Sequence, residues 1–77
     1  MIEKSIVKLM QYGLATGLIA REDRRYMVNH ILELLKIDAI SDEALAQVME
    51  FDGEDKSVVD QLEDILSDIC DYAYENG

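Results

Sequence analysis

No proline interrupts these 77 residues, no tryptophan is present, and one histidine and one cysteine stand alone. Each absence excludes something. Without proline there is no imposed kink, so helices end only at glycines and polar loops. A lone thiol, Cys70, cannot close an internal disulfide, which points to a reducing cytosol. As a side chain it reads as a small hydrophobe on a helix flank. There is no Gly-rich phosphate loop, no His-x-x-x-His, no Cys-x-x-Cys and no nucleophile elbow. Catalysis needs convergent groups, and these are missing. The sequence therefore offers no catalytic residue, no metal ligand and no cofactor site. A calcium loop starting at Asp52 fails too, with Lys56 at position five and Ser57 where the sixth position needs glycine.

No apolar run approaches the ~20 residues that span a bilayer. Met1-Ile2-Glu3-Lys4 lacks the basic and apolar regions of a signal peptide. A cytoplasmic protein without membrane contact is expected. Basic residues are scarce, seven Lys or Arg against 17 Asp or Glu, for a formal net charge of −10. The deficit is uneven. Residues 1–36 hold six basic and four acidic side chains, whereas residues 37–77 hold one lysine and thirteen acids. Phosphate contacts need clustered cations. Arg21, Arg24 and Arg25, beside Glu22 and Asp23, are too few, so nucleic acid is not expected as a partner.

What the chain does have is apolar residues, 49% of its length. That is enough to form one small, ordered domain. They recur at helical spacing and predict an all-α fold, a small bundle of about four helices. The first spans Ile2 to Thr16, with Ile2, Ile6, Leu9, Met10 and Gly13 on one stripe and Val7 and Leu14 on its flank. Gly17 stands at its C′ position, followed by Leu18 and Ile19 as the hydrophobic contact. Gly13, inside that stripe, predicts close approach by a crossing helix. The second spans Arg21 to Lys36, where Met27, Val28, Ile31, Leu32, Leu34 and Leu35 form a broad apolar face. Tyr26, His30 and Ile37 fall outside it, as a smaller stripe that points to a docking surface or to plain solvent exposure.

The third helix spans Asp42 to Glu50, with Ser41 as N-cap and Leu45, Val48 and Met49 as its apolar face. Phe51 leads into a turn at Asp52-Gly53-Glu54-Asp55. The fourth spans Val58 to Glu75, capped by Ser57 in a box-like pairing with Asp60. Val58, Leu62, Ile65, Leu66, Ile69 and Ala73 form its stripe, with Tyr72 at the margin. Asp60, Asp64, Ser67, Asp68 and Asp71 form an acidic ridge on the far side, read as a solvated face or as contact with a basic surface. One core is expected, built from Ile6, Leu9, Ile31, Leu35, Leu62, Ile65 and Ile69.

The ends of the first and fourth helices echo one another. Tyr12 and Gly17 recur as Tyr72 and Gly77 at the same offsets. A helix ending on its C′ glycine with nothing to pack behind it reads as a chain cut within a motif. Residues 1–77 are thus expected to form a single helical module that is an N-terminal fragment of a larger protein. An acyl carrier protein is also short, acidic and helical, but it needs Asp-Ser-Leu at a helix start. Ile40-Ser41-Asp42 and Lys56-Ser57-Val58 do not supply it.

The run Tyr12-Gly13-Leu14-Ala15-Thr16-Gly17-Leu18-Ile19 is followed by Glu22-Asp23, Tyr26-Met27-Val28-Asn29 and Ile31-Leu32-Glu33-Leu34-Leu35. In this order and spacing it resembles the N-terminal region of bacterial class II galactose-1-phosphate uridylyltransferases (UDP-glucose–hexose-1-phosphate uridylyltransferases). The likeness covers residues 5–38, loosens over 39–57 and returns at Asp71-Tyr72-Ala73. It implies a helical region of a cytosolic nucleotidyltransferase of galactose metabolism. Such enzymes exchange a uridylyl group between UDP-glucose and galactose 1-phosphate, through a histidine in a His-Pro-His-like motif. His30 has no such context, so no catalytic residue carries over. The implied partner is the remainder of the parent enzyme or its other subunit, contacted through Tyr26, His30 and Ile37. The alternative is a stand-alone acidic interaction module.

Overall fold

Fifteen consecutive residues without proline form α1, Ile2–Thr16, and the other elements are arranged around it. The computed structural model describes residues 2–76, the side chain of Asn76 excepted. Three more helices follow: α2 at Arg24–Leu34, α3 at Asp42–Met49 and α4 at Leu62–Asn76. Short 3-10 turns at Arg21–Asp23 and Ser57–Gln61 lead into α2 and α4. Among the described residues there is no strand, and the all-α class read from the periodicity is what forms.

The expected single core is two. On one side of α1, Ile6, Val7 and Met10 pack with Val28 and Leu32 of α2 and Ala44 and Val48 of α3. On the other side, Ala15 packs with Val58 and Ile65, and Leu9, Tyr12, Phe51, Val59 and Ile69 close around them. Ile31 and Leu35 belong to the first cluster and Ile69 to the second, all partly buried. Leu62, expected in the core, is only half-buried, and Leu66 and Ala73 are exposed. The reason is rotational: α4 turns Ile65 and Ile69 toward α1. Asp68 comes round with them, so that the buried Ser5 hydroxyl donates to its carboxylate at 2.9 Å. Asp68 therefore belongs to the α1–α4 contact and not to the far side.

Helix ends explain the other departures. α2 stops at Leu34 because Lys36 takes a left-handed conformation, φ 59°. The N–H of Lys36 donates to Glu33 O at 3.1 Å and that of Ile37 to Leu32 O at 2.9 Å. This is a Schellman motif with lysine in the glycine position. Its hydrophobic partner is Ile37, which packs on the first cluster and so leaves the Tyr26 side of the helix. Ser41 caps α3 as expected, its hydroxyl accepting from the Ala44 N–H at 3.2 Å. Ser57 does not cap α4. It begins the 3-10 turn, and the Asp55 carboxylate accepts its N–H at 2.9 Å. Hydrogen bonds from the Ser57 backbone and hydroxyl hold the exposed Asp55 carboxyl below its ordinary range. Gly17, at φ 80°, ends α1 as read. Gly77, its proposed counterpart, lies outside the described residues.

Two arginines and a lysine fasten the connections. Arg24 reaches from the start of α2 to the end of α3, where one guanidinium nitrogen donates to the carbonyls of Val48, Met49 and Phe51. Arg21 donates to Asp52 O. Lys56 donates to Ala15 O near the end of α1 and to Gly53 O at 3.1 Å.

Ile65 is 2% exposed and anchors the second cluster, whereas Leu66 beside it is 44% exposed. Ile65→Ala is expected to cost about 2–5 kcal/mol, as large-to-small core changes do. Leu66→Ala should stay near the ±0.5 kcal/mol typical of surface changes. Urea unfolding of both variants measures the difference, and equal losses would contradict the two-cluster packing.

Candidate functional site

The side chains of α2 become steadily more exposed around the helix axis. At 3.6 residues per turn, moving one way from Val28 meets Leu35, Ile31, Met27 and Leu34, then His30 and Tyr26, over roughly 200°. Val28 is buried, and Leu35, Ile31 and Met27 are half-buried. Leu34 is 67% exposed and Tyr26 68%. The apolar arc is wider than the bundle covers.

Its uncovered part forms one wall of an open groove of about 330 Å³. Leu9, Tyr12 and Gly13 of α1 line the groove, with Leu18 and Ile19 from the following loop, Met27, His30, Ile31 and Leu34 of α2, and Leu62 of α4. Leu18 is 76% exposed, so it is not the C-cap contact expected after Gly17. Ile19 fills that role: its N–H donates to Gly13 O at 3.0 Å and its side chain lies over Gly13. A Cβ added at Gly13 would come within 2.7 Å of Ile19 Cγ1. The close approach foreseen at Gly13 therefore comes from the chain's own loop, not from a crossing helix.

Tyr26 and His30, one turn apart, set their rings parallel beside this groove, with centroids 6.1 Å apart and planes 6° from parallel. The structure thus brings together two of the three residues singled out for docking and removes Ile37. It adds Leu18, Ile19, Leu34 and Leu62, which the sequence pattern places in a cap and in apolar helix faces. One signal could have found Leu34: it lies about 120° from Val28 around the helix, too far to share a stripe with it.

Away from the groove, α4 exposes two further large side chains, Leu66 and Tyr74. A second concavity, about 220 Å³, lies between the start of α1 and the end of α4, lined by Ile2, Asp68, Asp71, Tyr72 and Glu75. Cys70 is exposed on α4, which corrects its reading as a flanking hydrophobe. Among the described residues no three His, Cys, Asp or Glu side chains gather as a metal site. No helix there is long and apolar enough to cross a membrane.

The chain aligns over all 77 residues with the galactose-1-phosphate uridylyltransferase of Butyrivibrio fibrisolvens, at 34% identity. The aligned segment is 17% of that relative, so the chain spans about one sixth of its length. The resemblance read over residues 5–38 is found, within an alignment that covers the whole chain. No protein-family model matches the chain, and no solved structure matches it at a significant level.

The floor of the groove can be tested through Gly13. Gly13→Ala gains about 1 kcal/mol of helix propensity but drives a methyl into Ile19, and overpacking costs about 1–3 kcal/mol. Net destabilisation is expected. Combining it with Ile19→Ala should recover at least about 0.5 kcal/mol of coupling in a double-mutant cycle. Strictly additive losses would mean that Ile19 does not rest on Gly13.

Proposed function

We propose that this chain is a non-catalytic, N-terminal helical region of a UDP-glucose–hexose-1-phosphate uridylyltransferase. The parent enzyme would exchange a uridylyl group between UDP-glucose and galactose 1-phosphate, in the cytosol. The observation that carries the reading is the alignment of the entire chain with a sixth of one such enzyme. A segment similar from end to end, yet covering so little of its relative, fits one region of a larger protein.

The residue inventory supports the non-catalytic part. Transfer in the family this chain resembles proceeds through a histidine in a His-Pro-His-like motif, and here there is one histidine and no proline. His30 lies mid-helix, exposed and stacked on Tyr26. A nucleophile needs a positioned base or an orienting third group, and a tyrosine ring face supplies neither. The region needs no cofactor of its own in this reading. Its contribution is a folded surface for the rest of the enzyme.

The test is an assay with UDP-glucose and galactose 1-phosphate. It uses the purified 77-residue chain and the product of the complete reading frame that contains it. The chain alone should give no transfer, and the complete product should turn over. His30→Ala in the complete product should keep kcat/KM within about twofold, since it removes no transition-state contact. Turnover by the chain alone, lost in His30→Ala, would overturn the proposal. A complete product without transfer activity would leave the stand-alone interaction module as the reading.

A further inference from the structure

We infer that the groove between α1 and α2 seats the apolar face of an amphipathic helix from another part of the same enzyme; this rests on the reading of the chain as one region of a uridylyltransferase. The exposed apolar side chains at and beside the groove are Leu18, Leu34 and Tyr26. With His30 they form a small patch along one side of α2. Size decides among the occupants. A stable interface between free proteins uses roughly 20–30 residues a side, several times what is available here. A covalently linked partner is different, because tethering supplies an effective concentration in the mM range. A few apolar anchors then suffice.

Charge points the same way. A second copy would bring a net charge of −10 against −10, a long-range repulsion that disfavours its approach at low salt. The matched relative has five-sixths of its length outside the aligned segment, ample to supply the occupant. The groove is walled by helices and offers no strand edge to extend. An amphipathic helix laid alongside α2 is the recognition mode that suits it, anchored at i and i+4 positions. Tyr26, His30 and Leu34 present that spacing themselves. The Tyr26–His30 stack forms the rim, with apolar ring faces and polar edges.

The experiment is thiol labelling. Leu34→Cys is made in a Cys70→Ser background, in the 77-residue chain and in the product of the complete reading frame. Alkylation of the peptide containing residue 34 is followed by mass spectrometry. Labelling should be slower in the complete product by at least about tenfold, equivalent to about 1.4 kcal/mol of docking. Leu34→Asp supplies a second readout. It should lower the Tm of the complete product while moving that of the chain by less than about 4 °C, as for a surface change. Equal labelling rates in a complete product that transfers uridylyl groups would overturn the groove inference and leave the functional reading standing. A complete product without that activity, or a reading frame ending at Gly77, would overturn both. Concentration-dependent protection in the chain alone, with dimers in sedimentation, would make a second copy the occupant and overturn the inference.

Discussion

Helix α1 serves two clusters of side chains as a common wall, and every other element takes its position from that double use. Only Lys4 and Thr16 along its described length are exposed. A chain this short buries roughly 60% of the surface it would expose unfolded, so it cannot surround one helix on all sides with large side chains. Small residues at Ser5, Gly13 and Ala15 let neighbours approach instead. α2 and α3 close one side, α4 and its 3-10 lead the other. Between α1 and α2, over Gly13, the margins of both clusters meet without closing, and the groove lies there. It is what remains when two small cores share one helix.

A second constraint is electrostatic. No helix of the four has a basic residue in its last turn, so none complements the negative end of its own dipole locally. Cations come from elsewhere in the chain. Arg24 serves the end of α3, and Lys56 serves the end of α1 across 41 positions of sequence. This gives the arginines near residue 21 a meaning that composition could not. Arg21 and Arg24 are committed to carbonyl oxygens and hold the loops around Asp52, while the acids of α4 face water or, at Asp68, the Ser5 hydroxyl.

Helix number, the limits of α1, the Ser41 cap and the turn at Gly53 were all legible in the sequence, because each depends on residues within a few positions. What was not legible depended on rotation and distance. Asp68 was placed on the solvent side because its helix was read alone, and the partner that reorients it is 63 residues away. The periodicity groups Ile37 with Tyr26 only if the helix runs through Lys36. The left-handed turn there has no glycine to announce it. For the candidate site, the Tyr26–His30 pair was visible as an off-stripe aromatic and its neighbour. The leucines beside it were not, since an exposed leucine and a buried one look alike until the neighbours are in place.

The sharing of α1 also shapes how the molecule opens. Local unfolding that detaches α3 breaks the first cluster and leaves α1 held by α4. Loss of α4 leaves α1 held by α2 and α3. Either excursion frees the backbone amides of the departing helix, while those in the middle of α1 stay hydrogen-bonded. Amide protons near Met10 therefore exchange with solvent only when both halves come apart, at the full cost of global unfolding, and the peripheral helices exchange through cheaper, separate openings. The central helix is in this sense the last part of the protein to meet water.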